Sequence, residues 1–154
     1  MSGNAPDIDL PQLPKARVAI ISSSWHLDIC NDLVAGAERA LAAAAIKNVE
    51  VMYVPGSFEI PLASQIAFEK GFDAVVAVGL VLEGETPHFD YVCQGVTQGV
   101  MDVSLKFSAP IGFGVLMCNT LDQAVARSGR PGSSEDKGYD SAVAAIKLLQ
   151  LKEG

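Results

Sequence analysis

The sequence predicts an α/β domain of three layers, in which helices cover both faces of a central four-stranded parallel sheet. Three observations predict it. Four apolar runs of strand length, Arg17 to Ser22, Val49 to Val54, Ala74 to Leu82 and Ile111 to Met117, are rich in valine and isoleucine. Each run is followed by a segment whose apolar residues recur three and four apart, the period of a helix with one buried face. Strand and helix alternate throughout, the pattern produced by right-handed crossovers between parallel strands.

Each element has a local cause. Residues 1–14 carry Pro6, Pro11 and Pro14 with little periodicity and read as an arm, either disordered or adding an edge strand to a neighbouring subunit. Residues 15–154 read as a single domain. The first strand stops on Ser22-Ser23-Ser24, and a helix follows with Leu27, Cys30, Val34, Ala37 and Leu41 on its apolar face. Pro55-Gly56-Ser57 ends the second strand, and a helix beginning near Glu59 has Leu62, Ala63, Ile66 and Ala67 as its expected buried face. The third strand breaks at Gly84 and leads into a helix from Pro87 to about Phe107 that buries Val92, Val96, Val100 and Val103. Pro110 introduces the fourth strand. A short helix from Thr120 to Ser128, a loop at 129–134 and a last helix from about Lys137 to Leu151, burying Ala142, Ala145, Ile146 and Leu149, complete a flavodoxin-like arrangement.

Composition removes several functional classes. A formal net charge of -7 and a pI near 4.7 oppose nucleic acid or an anionic membrane as partner. Hydrophobic residues make up 49% against 19% charged, an excess that neighbouring subunits would cover. The chain therefore reads as a homo-oligomer. Cys30, Cys93 and Cys118 form no C-x-x-C pair, which indicates reduced thiols rather than a disulfide framework or zinc site. The longest apolar run is far short of the roughly 18 residues that a membrane helix needs, and the N-terminus lacks a basic-then-apolar signal pattern. A cytoplasmic location is the expectation. The dinucleotide fingerprint G-x-G-x-x-G and the phosphate loop G-x-x-x-x-G-K-[ST] are both absent.

Chemistry is concentrated in Gly79 to Val92. Thr86 is suited to cap the following helix and Pro87 to occupy its first position. The free N–H groups there, with those of Gly84 and Glu85, face the carboxyl end of a parallel strand, where open sheets hold ligands and where an anion such as phosphate fits. His88 falls in the first turn, whose positive end suits an uncharged imidazole that accepts a proton. Taken alone it would sooner read as an exposed polar residue at a helix start, and the residues around it reverse that reading. Trp25, the only tryptophan, lies off the helical face that follows it, placed either to stack on a flat heterocycle or to anchor the core. Ser57 and Glu59 place a hydroxyl and a carboxylate at the same sheet end, suited to a polyol, though Glu59 also complements a helix start.

Five motifs in order, Ser24-Trp-His26, Pro55-Gly-Ser-Phe-Glu-Ile-Pro61, Gly84-Glu-Thr-Pro-His-Phe-Asp-Tyr91, Gln123-Ala-Val-Ala-Arg-Ser-Gly129 and Asp136-Lys-Gly138, resemble the 6,7-dimethyl-8-ribityllumazine synthase family. The resemblance covers about Arg17 to Leu151. It implies a transferase that condenses 5-amino-6-(D-ribitylamino)uracil with 3,4-dihydroxy-2-butanone 4-phosphate in the penultimate step of riboflavin biosynthesis, without metal or organic cofactor. Carried over by motif, it implies that Trp25 stacks on the pyrimidine and that backbone groups of Val81 and Leu82 hold the ring's edge. Ser57, Phe58 and Glu59 would bind the ribityl chain. Gly84, Glu85, Thr86 and Arg127 would bind the phosphate, His88 would shuttle protons, and Lys137 would lie near the heterocycle.

The same resemblance implies a site between adjacent subunits of a pentamer, with Phe113 supplied by the neighbour. Some family members build a shell of 60 subunits. The loop from Ser128 to Asp136, somewhat longer than in typical shell formers, and the proline-rich arm favour a lone pentamer. Glu83 stands where the family usually has a basic residue and is expected to point outward, while Met117 and Cys118 replace common hydroxyl-bearing residues. The alternatives are a relative that binds lumazine or riboflavin without catalysis and a shell-forming scaffold. Retention of His88, Arg127 and Lys137 together counts against the former.

Overall fold

The computed structural model describes residues 6–154, so the first five residues of the expected arm lie outside it. Four strands, β1 (Arg17–Ser23), β2 (Asn48–Val54), β3 (Ala74–Leu82) and β4 (Ile111–Cys118), form one sheet in the order β2-β1-β3-β4. All three pairings are parallel, with Val18 opposite Val49 and Ala74, and Val75 opposite Ile111. The helices are α1 (Leu27–Ala43), α2 (Ile60–Glu69), α3 (His88–Phe107), α4 (Leu121–Arg127) and α5 (Lys137–Glu153), with a 3₁₀ turn at Ser57–Glu59 before α2.

Side chains alternate across a strand, so the central strands supply two cores. Val18, Ile20, Val76 and Val78 face α1 and α5, whereas Ala19, Ile21, Val75 and Ala77 face α2 and α3. Fully burying a valine or isoleucine side chain contributes about 1.5–3 kcal/mol, so β1 and β3, buried on both faces, anchor the domain. The α1/α5 layer approaches closely: a Cβ at Gly112 would fall on the Ser141 carbonyl, and one at Gly138 on that of Leu33. The arm joins this layer too. Leu13 is buried, Ile8 and Leu10 pack partly against it, and Leu13 N donates to Ala44 O at 2.8 Å.

Strand limits and layer order agree with the sequence reading, but some helical faces do not. Leu27 is exposed at the start of α1, where Ile29, Leu33 and Ala40 are buried instead. On α2 the buried residues are Ile60, Ser64, Ala67 and Phe68; Leu62 and Ile66 face outward and Ala63 is half-buried. The helix carries apolar residues on two sides, and periodicity alone does not say which side meets the chain's own sheet. Val92 is half-buried because it opens onto a cavity rather than the core. The third helix begins at His88, one residue later than expected. Pro87 is already in helical conformation, and Thr86 Oγ1 accepts from His88 N at 3.4 Å.

Candidate active site

Three chain segments leave the carboxyl ends of the adjacent strands β2, β1 and β3 and converge. The exit of β1 is clipped to that of β2, because Ser24 Oγ donates to Val54 O at 2.8 Å and Ser24 N to Pro55 O at 3.3 Å. Trp25 follows, 68% exposed, with its carbonyl accepting from Cys30 Sγ at 3.2 Å. This thiol lies 3.6 Å from Ser23 Oγ, which in turn accepts from Leu80 N at 3.3 Å. The indole is thus exposed, while the Trp25 backbone carbonyl is linked through Cys30 to Ser23 of β1 and Leu80 of β3. Burial pushes the Cys30 thiol above its ordinary pKa, so it serves as a neutral donor.

The β2 exit turns at Gly56, whose amide donates to Glu59 Oε2 at 3.1 Å. A Cβ at Gly56 would lie 3.5 Å from Trp25 Nε1, so the turn and the indole edge are in contact range. The capping bond fixes one carboxylate oxygen of Glu59. Ser57 is buried beneath the turn, and among the described residues its hydroxyl has no hydrogen-bond partner. Phe58 reaches across to α3, where its ring covers Gly95.

At the β3 exit, Glu83 N donates to Cys118 O at 2.9 Å and carries the ladder one residue past the strand. The Glu83 side chain is exposed and does not line the cavity. Gly84 follows in open space, then Glu85, Thr86 and Pro87, and His88 opens α3. Gly84, Thr86 and His88 all border one cavity at the start of α3, the end of a helix at which free amides accept an anion.

These segments enclose a cavity of about 850 Å³. Trp25, Ser57, Phe58, Glu59, Val81, Leu82, Gly84, Thr86 and His88 all line it. Its wall also includes His26, Leu80, Phe89 and Tyr91, which the sequence did not single out. Phe89 and Tyr91 flank His88 within the same motif, and that adjacency was the available signal. His26 takes a left-handed backbone conformation at the start of α1, a feature not visible in residue type.

Glu85, Phe113, Arg127 and Lys137 are absent from this wall. Glu85 is exposed beside Gly84. Phe113 stands 40% exposed on β4, Arg127 ends α4 and Lys137 begins α5. Arg127 Nη1 donates to Gln123 O at 2.9 Å, and Nε lies 3.4 Å from Glu135. Lys137 Nζ lies 3.1 Å from Glu135 and 3.8 Å from Asp140. Burial raises the Asp140 pKa while the Lys137 charge opposes that shift. Among the described residues no three His, Cys, Asp or Glu side chains are grouped to hold a metal ion, and no helix is long and apolar enough to cross a membrane.

A family model described as 6,7-dimethyl-8-ribityllumazine synthase matches residues 15–153. A protein of that name from Streptomyces coelicolor is 49% identical over 95% of this chain and 91% of its own length. Another of that name, from Pseudarthrobacter chlorophenolicus, is 50% identical over 95% of this chain and 94% of its own. A third, from Nocardioides, is 44% identical over 99% and 96%. With the match running from two residues before β1 through the last helix, the chain belongs to the 6,7-dimethyl-8-ribityllumazine synthase family.

Proposed function

We propose that the 850 Å³ cavity is where this synthase condenses 5-amino-6-(D-ribitylamino)uracil with 3,4-dihydroxy-2-butanone 4-phosphate. The observation that carries the assignment is the convergence of Trp25, Glu59 and His88, from three separate segments, on one cavity. Trp25 offers an exposed indole face to the pyrimidine, with the backbone of Val81 and Leu82 along the ring's edge. Glu59, Phe58 and the unpartnered Ser57 hydroxyl take the ribityl chain. Gly84, Glu85 and Thr86 cradle the phosphate at the start of α3, with Arg127 as its counter-charge, and Lys137 lies near the heterocycle.

The uracil's amine attacks the ketone to form an imine with loss of water. Enolisation expels phosphate, and ring closure with loss of a second water completes the lumazine. His88 is the proton carrier for these steps, a role worth about 10²–10⁴-fold, and holding both reactants in one cavity supplies much of the remaining acceleration.

Arg127, Lys137 and Phe113 act on the cavity of a neighbouring copy. Their absence from the chain's own cavity wall supports this, as do exposed Leu62, Ile66, Tyr91, Met101 and Leu105 on α2 and α3. The assembly is a homopentamer rather than a 60-subunit shell. Free thiols at all three cysteines fit a reducing, cytoplasmic setting.

Purified protein mixed with both substrates, with lumazine fluorescence and phosphate release followed together, tests the assignment. Matched, enzyme-dependent appearance of both products that collapses in His88→Ala supports it. Riboflavin binding without turnover would instead make the cavity a binding site. Sedimentation at about five times the 16.2 kDa chain mass supports the pentamer, and a megadalton particle overturns it.

A further inference from the structure

We infer that Glu135 is the positioning residue for both cationic side chains of the site. The inference rests on the reading above, in which Arg127 binds the phosphate and Lys137 the heterocycle. Glu135 belongs to the segment joining α4 to α5, and its backbone is fixed there. Ser128 and Asp136 form an antiparallel bridge, Glu135 N donates to Ala126 O at 3.0 Å, and Ser133 Oγ donates to Val125 O at 2.6 Å. The carboxylate is thereby pinned against the last turn of α4, its side chain only 14% exposed.

Its two oxygens are divided between two helices. Oε2 lies 3.4 Å from Arg127 Nε and Oε1 3.1 Å from Lys137 Nζ. Since Arg127 Nη1 is also engaged by Gln123 O, two of the three guanidinium nitrogens have partners within the chain, and Nη2 is left to lead toward an anion. Arginine and lysine carry large rotamer entropy, and ordering them before substrate arrives removes that cost from binding. The segment does not need the carboxylate to hold its path. The bonds of Ser133 and Ser134 to α4 carbonyls already do that. Oε1 is buried without a directed hydrogen bond, so its charge is poorly screened and couples more strongly to the cations than a surface carboxylate would.

Steady-state kinetics with each substrate varied in turn test the inference on Glu135→Ala and Glu135→Gln, beside Arg127→Ala and Lys137→Ala. Glu135→Ala is expected to raise KM for both substrates, each by about fivefold, with a smaller change in kcat. Arg127→Ala should raise only the butanone phosphate KM and Lys137→Ala only the uracil KM. Should those two variants leave their KM values unchanged, the underlying assignment fails. Should they respond while Glu135→Ala leaves both KM values within about twofold, this inference alone is overturned. If Glu135→Ala does not assemble, Glu135→Gln decides, because it keeps length and packing while removing the charge. A joint rise in both KM values supports the role, and unchanged values refute it.

Discussion

The ring of Phe58 lies against the backbone of α3 at Gly95, where an added Cβ would stand 2.5 Å from Phe58 Cε1. The contact lets a residue of the 3₁₀ turn reach over the helix and close one side of the cavity. Gly95→Ala should swing the ring away, because a side chain yields more readily than a helix backbone. The expected result is a several-fold higher KM for the uracil substrate with little loss of thermal stability. A KM that does not move would separate Phe58 from substrate binding.

His88 is exposed at the first position of α3 and forms part of the cavity wall. On the role proposed for it above, replacement by alanine removes the proton carrier while leaving the hydrogen bond from its backbone amide to Thr86 Oγ1 in place. Turnover should fall by about 10²-fold or more while both KM values stay near their original values. Full turnover in His88→Ala would place the proton transfers elsewhere.

Gly112 of β4 meets α5 so closely that a Cβ would fall on the Ser141 carbonyl. Both partners are backbone in regular elements, and neither can give way cheaply. Gly112→Ala should destabilise the chain by about 1–3 kcal/mol, read as a lower melting temperature. An unchanged melting temperature would mean that the layer spacing is softer than the structure indicates.

Burial pushes the Cys30 thiol above its ordinary value of 9.0, with the Asp28 charge adding to the shift and the hydroxyls of Ser23 and Ser22 opposing it. Cys93 and Cys118 shift the same way, mainly through burial. Unfolded thiols ionise near 9.0, so above that pH the folded chain binds more protons than the unfolded one. The contribution of these buried neutral thiols to stability is complete below pH 9.0 and is lost as pH rises through the folded values. Melting temperature should therefore decline above about pH 9, and the decline should be shallower in Cys30→Ala. Identical slopes would remove Cys30 from the effect.

The sheet, and which of the candidate residues line the cavity, were legible because their signals are local. A nine-residue apolar run closed by Gly84 and followed by Thr86-Pro87 defines where β3 ends and where α3 begins, to within one residue. Trp25, Ser57 and Glu59 sit immediately after strands, so strand limits alone placed them at one sheet end. The buried face of α2 was not legible. Its apolar stripe at Leu62 and Ile66 has the helix period, yet it points away from the sheet. Glu135 was also missed, since it belongs to no motif and its importance comes from two cations brought to it by separate helices.

The two faces of the sheet differ in how they are completed. The α1/α5 face is locked by close glycine contacts within one chain, whereas α2 and α3 present Leu62, Ile66, Tyr91, Met101 and Leu105 outward. In the assembly proposed above, the first face is complete within one chain and the second is completed by further copies, so the stability of the second varies with concentration. On dilution, hydrogen exchange should quicken in α2 and α3, and with them in the wall that carries Phe58 and His88, before it changes in α1 or α5. Loss of activity on dilution would then precede loss of fold, because the cavity wall hangs from the half of the molecule on which a single chain leaves these apolar side chains uncovered.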